Sequence, residues 1–299
     1  MTDGPCFISA SRRTDIPAWY TPWLMNRIRA GFCRVRNPFR PSQVREVALT
    51  AGRVEGIFFW TRWPGPLLPH LDELEERGYR TVFHVTVTGL PAELEPHPVP
   101  EAERIASMVE LAGRVGRERV WWRYDPVVVG SGLDERYHLA QLERLAGLLA
   151  PATGRVTLSL LDWYRKTERR MNQTPMIREK GFLRMAGDEA EVLDLVGKLA
   201  ERARAAGIRP VSCCEPAWAQ AGLDCGACID GAAFSGLFAR PVPHGRDPGQ
   251  RPDCRCSPSI DIGAVDTCVG GCVYCYATRS HETALAAHRE HLPEADCLR

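Results

Sequence analysis

Two hydrophobic periods alternate along the chain. Short apolar runs rich in β-branched and aromatic residues occur at 5–11, 32–36, 56–62, 80–88, 119–129, 155–162 and 210–214. Each reads as a strand. Helical spacing fills the gaps between them. Thr21-Pro22 opens a helix that Gly31 ends. Ser42 caps a short helix with Val44, Val47 and Ala48 on one face, and a helix around 66–77 stops at Gly78. Ile105, Met108, Val109, Ala112 and Val115 form the stripe of the next helix, and Asp134 caps one that carries Leu142, Leu145 and Leu149. Asp188 and Glu191 open, in capping-box fashion, a helix bearing Val192, Val196, Leu199 and Ala203, which Gly207 ends. Beyond 213 the chain reads as irregular and cysteine-rich, with Pro, Gly and Arg dense at 239–258. Ser259 to Val265 predicts an eighth strand, and 282–290 a last helix.

Strands alternating with helices predict an α/β fold with a parallel sheet. The count and length fit a (β/α)8-like barrel, whole or partial, with an irregular cysteine-rich C-terminal region. An open doubly wound sheet is the alternative, but no glycine-rich phosphate loop follows the first strand. Residues 1–212 are expected to form the barrel body, and 213–299 a cysteine-rich region that completes it. In either architecture, chemistry sits at the carboxyl ends of the strands. Those ends are polar here: Arg12-Arg13-Thr14-Asp15, Arg36-Asn37, Thr61-Arg62, Thr86 with Thr88, Arg123 with Asp125, Asp162, and Cys213-Cys214-Glu215.

Composition narrows the class. A net charge of +1 over 299 residues gives no global field favouring nucleic acid or an anionic membrane. No apolar run approaches the ~20 residues of a membrane span, and the first residues lack the basic-then-apolar pattern of a signal peptide. A cytoplasmic chain is therefore expected. Nine of its twelve cysteines fall at 213–275, and in a reducing compartment clustered cysteines bind metal more often than they form disulfides.

The densest group is Cys268-Val-Gly-Gly-Cys272-Val-Tyr-Cys275. Soft thiolates select zinc, copper(I) or iron–sulfur clusters. Three of them can hold three irons of a cubane and leave the fourth open. Gly270 and Gly271 let the backbone turn tightly around such a group. C-x3-C-x-aromatic-C resembles the cluster motif of the radical S-adenosylmethionine (SAM) enzymes. Its Tyr-Cys-Tyr-Ala ending is most similar to the spore photoproduct lyase and repair-photolyase branch. The whole chain also resembles a bacterial family known only as a domain of unknown function, with a radical-SAM-like cysteine cluster at the C-terminus. The stretches that carry this second resemblance are Ser-Ala-Ser-Arg-Arg-Thr-Asp-Ile-Pro (9–17), Arg-Asn-Pro (36–38), Phe-Trp-Thr-Arg (59–62) and Trp-Arg-Tyr-Asp-Pro (122–126). The first resemblance implies a [4Fe–4S] cluster on Cys268, Cys272 and Cys275, with SAM chelated at the open iron and Tyr274, Gly270 and Gly271 against the cofactor. The chain departs from that pattern in two ways. The motif comes last instead of after the first strand, and no Gly-Gly-Glu segment stands ready for the SAM amino group.

Cys225 and Cys228 with Cys254 and Cys256 supply four more thiolates, enough for a structural zinc or an auxiliary iron–sulfur cluster; four buried structural cysteines are the plain alternative. Of the adjacent Cys213 and Cys214, strand alternation brings at most one to such a site. Arg123 and Asp125 share a strand face. They could grip and orient a carboxylate, or simply form an ion pair at the barrel mouth. Arg12, Arg13 and Asp15 allow the same two readings. Arginines at several strand ends favour an anionic small-molecule substrate. His84 reads as a hydrogen-bonded core histidine before an acid–base group. The basic run Arg165, Lys166, Arg169, Arg170 reads as a solvent-facing surface. The expectation is a radical-SAM-like iron–sulfur enzyme served by an electron donor. The alternatives are a non-catalytic iron–sulfur or zinc protein for electron transfer or cofactor assembly, and a lyase repairing nucleic acid lesions.

Overall fold

The computed structural model describes residues 4–130, 132–181, 185–242 and 245–299. Its elements run β1 (Cys6–Ala10), α1 (Ile16–Trp19), α2 (Thr21–Ala30), β2 (Phe32–Asn37), β3 (Arg40–Ala48), β4 (Val54–Thr61), α3 (Leu71–Glu76), β5 (Thr81–Thr86), α4 (Glu101–Val115), β6 (Val120–Val127), α5 (Glu135–Leu149), β7 (Arg155–Leu160), α6 (Arg165–Met171), α7 (Pro175–Lys180), α8 (Ala190–Ala205), β8 (Arg209–Ser212), β9 (Asp224–Cys225), α9 (Gly231–Phe238), β10 (Ser259–Asp261) and α10 (His281–Glu290). Eight strands form one sheet in the order β10-β1-β4-β5-β6-β7-β8-β9. All of its pairings are parallel. The strands follow chain order and β10 returns beside β1. This is the strand order of a (β/α)8 barrel, left open between β9 and β10 among the described residues. No helix among those residues is long and apolar enough to cross a membrane.

The alternation along the central strands builds two different faces. Ile8, Phe59, Phe83 and Trp122 pack with the surrounding helices in the larger core. Phe7, Phe58, Val82 and Trp121 point the other way, into a second core. There α9 fills the inner face: Phe234 lies 5.1 Å from Phe7 and 5.9 Å from Phe58, ring to ring. Gly56 makes room for it, since a Cβ at that position would come within 2.3 Å of the Phe234 ring. Both faces of the central strands are thus buried, as parallel sheets require.

Two expectations need correction. Residues 42–48 form strand β3, not a helix, and pair antiparallel with β2. The Asn37 side chain accepts hydrogen bonds from the backbone N–H of Phe39 (2.9 Å) and Arg40 (3.3 Å), fixing the hairpin turn. Segment 32–36 is therefore a hairpin strand outside the main sheet. The stretch after 213 is not wholly irregular either. It contributes β9 to the sheet edge, and Asp230 caps α9 by accepting from Ala233 N at 2.9 Å. A smaller difference is that no Asp188/Glu191 capping box forms. Glu189 is the cap residue of α8, and its carboxylate accepts from Ala186 N.

His138 is fully buried between the Tyr124 hydroxyl and the Val128 carbonyl, each 2.8 Å away. Burial pushes its pKa down, and burial pushes His84 down to about 3. Below the ordinary value of 6.5 the unfolded chain binds protons that these folded rings refuse. Their contribution to stability is thus complete above about 6.5 and drains away as pH falls toward the folded values. Urea unfolding midpoints are expected to drop between pH 7 and pH 5, and His138→Gln to flatten that slope.

Candidate functional site

The inner face that is apolar at the amino ends of the strands turns polar toward their carboxyl ends. Two residues on from each apolar position stand Ser9, Trp60, His84 and Arg123, and then Ser11, Arg62, Thr86 and Asp125. Of these, Ser11, Trp60, Arg62, Thr86, Arg123 and Asp125 line a cavity of about 460 Å³ together with Ser159, Cys213 and the Cys268–Cys275 loop. Asp261 at the end of β10 ties the first strand into this rim. Its carboxylate accepts from Ser9 Oγ (2.8 Å), Ser11 Oγ (2.9 Å) and Arg12 N (2.8 Å), and Arg13 Nε lies 4.0 Å away.

The loop carrying Cys268, Cys272 and Cys275 is pinned from every side. Tyr20 donates its hydroxyl hydrogen bond to Thr267 O at 2.7 Å, and Val273 N donates to Leu94 O at 2.9 Å. The Arg170 guanidinium reaches Thr278 O at 2.7 Å and also the Cys275 carbonyl. Of the basic run, Arg170 therefore clamps the loop instead of facing solvent. Gly271 takes a left-handed φ of 74°, which only glycine adopts without strain; at Gly270 a Cβ would meet the Cys268 sulfur at an ordinary contact distance, so that position does not demand glycine. All three thiols line the cavity on one side. On the other they line a second cavity of about 360 Å³, where no other cysteine stands among the described residues.

Behind Cys272 lies a network that the sequence did not reveal. Arg62 grips Glu95 with two hydrogen bonds, at 2.7 and 2.8 Å, and donates to the Tyr274 hydroxyl at 2.5 Å. Thr88 and the Tyr274 hydroxyl both donate to Glu95 Oε1. The motif tyrosine is thus held by an ion pair instead of being free to meet a ligand with its hydroxyl. Burial would push Glu95 up, but Arg62, Tyr274 and Thr88 together hold it below its ordinary value. Burial raises Cys272 to about 11, against the opposing Arg62 charge, and raises Cys268 further. Such thiols lose their protons when a metal takes the proton's place.

The expected catalytic residues have structural partners. Asp15 accepts from Ala18 N (3.0 Å) as the cap of α1 and from Arg62 N at 2.7 Å; burial raises it to about 6 despite those bonds. Arg123 forms an ion pair with Asp125, and Ser159 Oγ donates to Asp125 at 2.5 Å. The other Arg123 nitrogen donates to the Cys228 sulfur at 2.9 Å. His84 Nε2 meets the Cys228 carbonyl at 2.7 Å, the hydrogen-bonded core role expected of it. Arg13 keeps a partly exposed side chain at the mouth, and Arg12 lies over the Trp60 ring, 5.4 Å from its centre.

A second group of thiols lines the same cavity: Cys213, Cys214, Cys228, Cys254 and Cys256. The set differs from the one read from spacing. Cys225 lies on the edge strand β9, outside the cavity lining. Cys213 and Cys214 both reach the cavity because β8 ends at Ser212 and Cys214 adopts a left-handed φ of 59°, which cancels strand alternation. All twelve cysteines are free thiols. As they stand, no three His, Cys, Asp or Glu side chains among the described residues are grouped to hold a metal ion.

Residues 7–277 match the family model described as a domain of unknown function, DUF1848. The chain belongs to this family. The matched segment runs from β1 through the cysteine triplet. No curated protein and no solved structure matches the chain.

Proposed function

We propose that this member of the family is a radical-SAM-like iron–sulfur enzyme whose anionic small-molecule substrate enters the cavity at the carboxyl ends of the strands. The observation that supports it is a pinned loop that presents three soft thiols, unaccompanied by a fourth on its outer side, at the wall of that cavity. The donor set fits a [4Fe–4S] cluster held by Cys268, Cys272 and Cys275. Bound there, such a group would supply an iron without a protein ligand, at which SAM could be chelated and reductively cleaved.

The remaining work falls to the chain itself. Arg62 sets a positive charge beside Cys272 and, through Glu95 and Tyr274, fixes the loop that carries it. Arg62 and Arg123 are committed to Glu95 and Asp125. That leaves Arg12, and Arg13 with its longer 4.0 Å pairing to Asp261, on the first strand's exit to receive an anionic group. The test is an anaerobic assay. Protein reconstituted with ferrous iron and sulfide, reduced with dithionite and given SAM should form 5′-deoxyadenosine, and the Cys268→Ala variant should form none. Stoichiometric zinc without iron, or a cluster that leaves SAM intact, would overturn the proposal.

A further inference from the structure

The five inner thiols ring the cavity together, and Cys213 and Cys228 stand within hydrogen-bond distance of each other. The Cys213 and Cys228 sulfurs are 3.4 Å apart, too far for a disulfide. These residues come from three separated stretches: the exit of β8, the turn before α9, and the segment before β10. The fold spends many contacts to bring them together. His84 holds the Cys228 carbonyl, Arg155 holds Ala227 O at 2.9 Å and pairs with Asp230 at 3.2 Å, and Asp247 N donates to Cys256 O at 2.8 Å.

The surroundings are those of sulfur carrying negative charge. Arg123 donates to the Cys228 sulfur. The backbone N–H groups of Cys228 and Ile229 both donate to the Cys256 sulfur, at 3.3 and 3.4 Å. Arg12 is an electrostatic neighbour of Cys256 and Cys228. Its buried Nη2 has no hydrogen-bond partner among the described residues. Neutral thiols need no such array, and adjacent thiolates repel one another unless a cation lies between them. N–H donors and guanidinium groups around sulfur are what support a metal–thiolate centre.

We propose that Cys213, Cys214, Cys228, Cys254 and Cys256 form a second metal–thiolate site, separate from the triplet and facing the same cavity, with four of the five thiols binding zinc or an iron–sulfur cluster. Binding exchanges the Cys213–Cys228 contact for metal–sulfur bonds as the protons leave. The site does not depend on the triplet or on SAM.

The decisive experiment removes the triplet and asks what stays. Full-length Cys268→Ala/Cys272→Ala/Cys275→Ala protein is isolated anaerobically, exposed to zinc alone or to ferrous iron with sulfide, desalted, and analysed for metal and sulfide. The expected result is about one zinc or about four irons with matching sulfide per chain, and which of the two is found identifies the centre. In that background Cys225→Ser should keep the metal and Cys254→Ser/Cys256→Ser should lose it. Triplet-free protein without stoichiometric metal would overturn the proposal whatever the ring variants do. So would loss of the metal in a folded Cys225→Ser protein, as judged by far-UV circular dichroism.

Discussion

Cys272→Ala is expected to leave the protein folded but to remove the iron and sulfide assigned to the triplet, and to bring 5′-deoxyadenosine formation down to background. The loop does not rely on this thiol for its shape. It is held by Tyr20, Leu94, Arg170 and the Tyr274–Glu95–Arg62 network. Replacing the thiol by hydrogen at a partly buried position removes little packing, so the midpoint of urea unfolding without added metal should move by less than about 1 kcal/mol equivalent. Metal analysis and the deoxyadenosine assay check the first part, and urea unfolding checks the second. If the second thiol ring binds its own metal, Cys272→Ala will keep that metal while losing activity. Total metal therefore falls to a partial value.

The second large effect is expected at Glu95. Its carboxylate is buried and takes hydrogen bonds from Arg62, Thr88 and Tyr274. Glu95→Ala leaves the buried Arg62 guanidinium with no counter-charge. Breaking a buried pair on one side costs about 3–5 kcal/mol. The loss should appear in urea unfolding, with weaker cluster retention because Tyr274 loses its anchor. Replacing both partners, as Arg62→Met/Glu95→Leu, should recover most of the stability but not the cluster retention. Because the folded carboxyl titrates below its ordinary value of 4.5, the stabilisation from this pair is complete above about pH 4.5 and is lost on further acidification. That loss adds to the earlier decline caused by the buried histidines.

The parts of the molecule governed by periodicity were legible in the sequence. Alternation placed Arg123 with Asp125 on one face of their strand and His84 with Thr86 on one face of theirs, and strand–helix alternation predicted the parallel sheet that joins them. What could not be read depended on local backbone state or on distant partners. Val44 and Val47 satisfy helical spacing as well as they satisfy a strand. The Asn37 turn, which decides between the two, acts through a side chain outside the run. Cys225 and Cys228 have the spacing of a metal pair, yet β9 takes Cys225 to the sheet edge. The left-handed turn at Cys214 is not encoded by residue type, so alternation wrongly separated it from Cys213. Glu95 sits in a proline-rich loop with no pattern of its own. Its position just beyond a strand's carboxyl end was the signal that could have marked it.

The most direct measurement is electron paramagnetic resonance of the reduced, reconstituted protein with and without SAM, in Cys254→Ser/Cys256→Ser protein so that only the triplet contributes. The account predicts a reduced cluster signal whose g-values shift when SAM is added and which disappears in the additional Cys272→Ala variant. A triplet signal indifferent to SAM would contradict it, and would make the loop a site for electron transfer instead of a site for SAM.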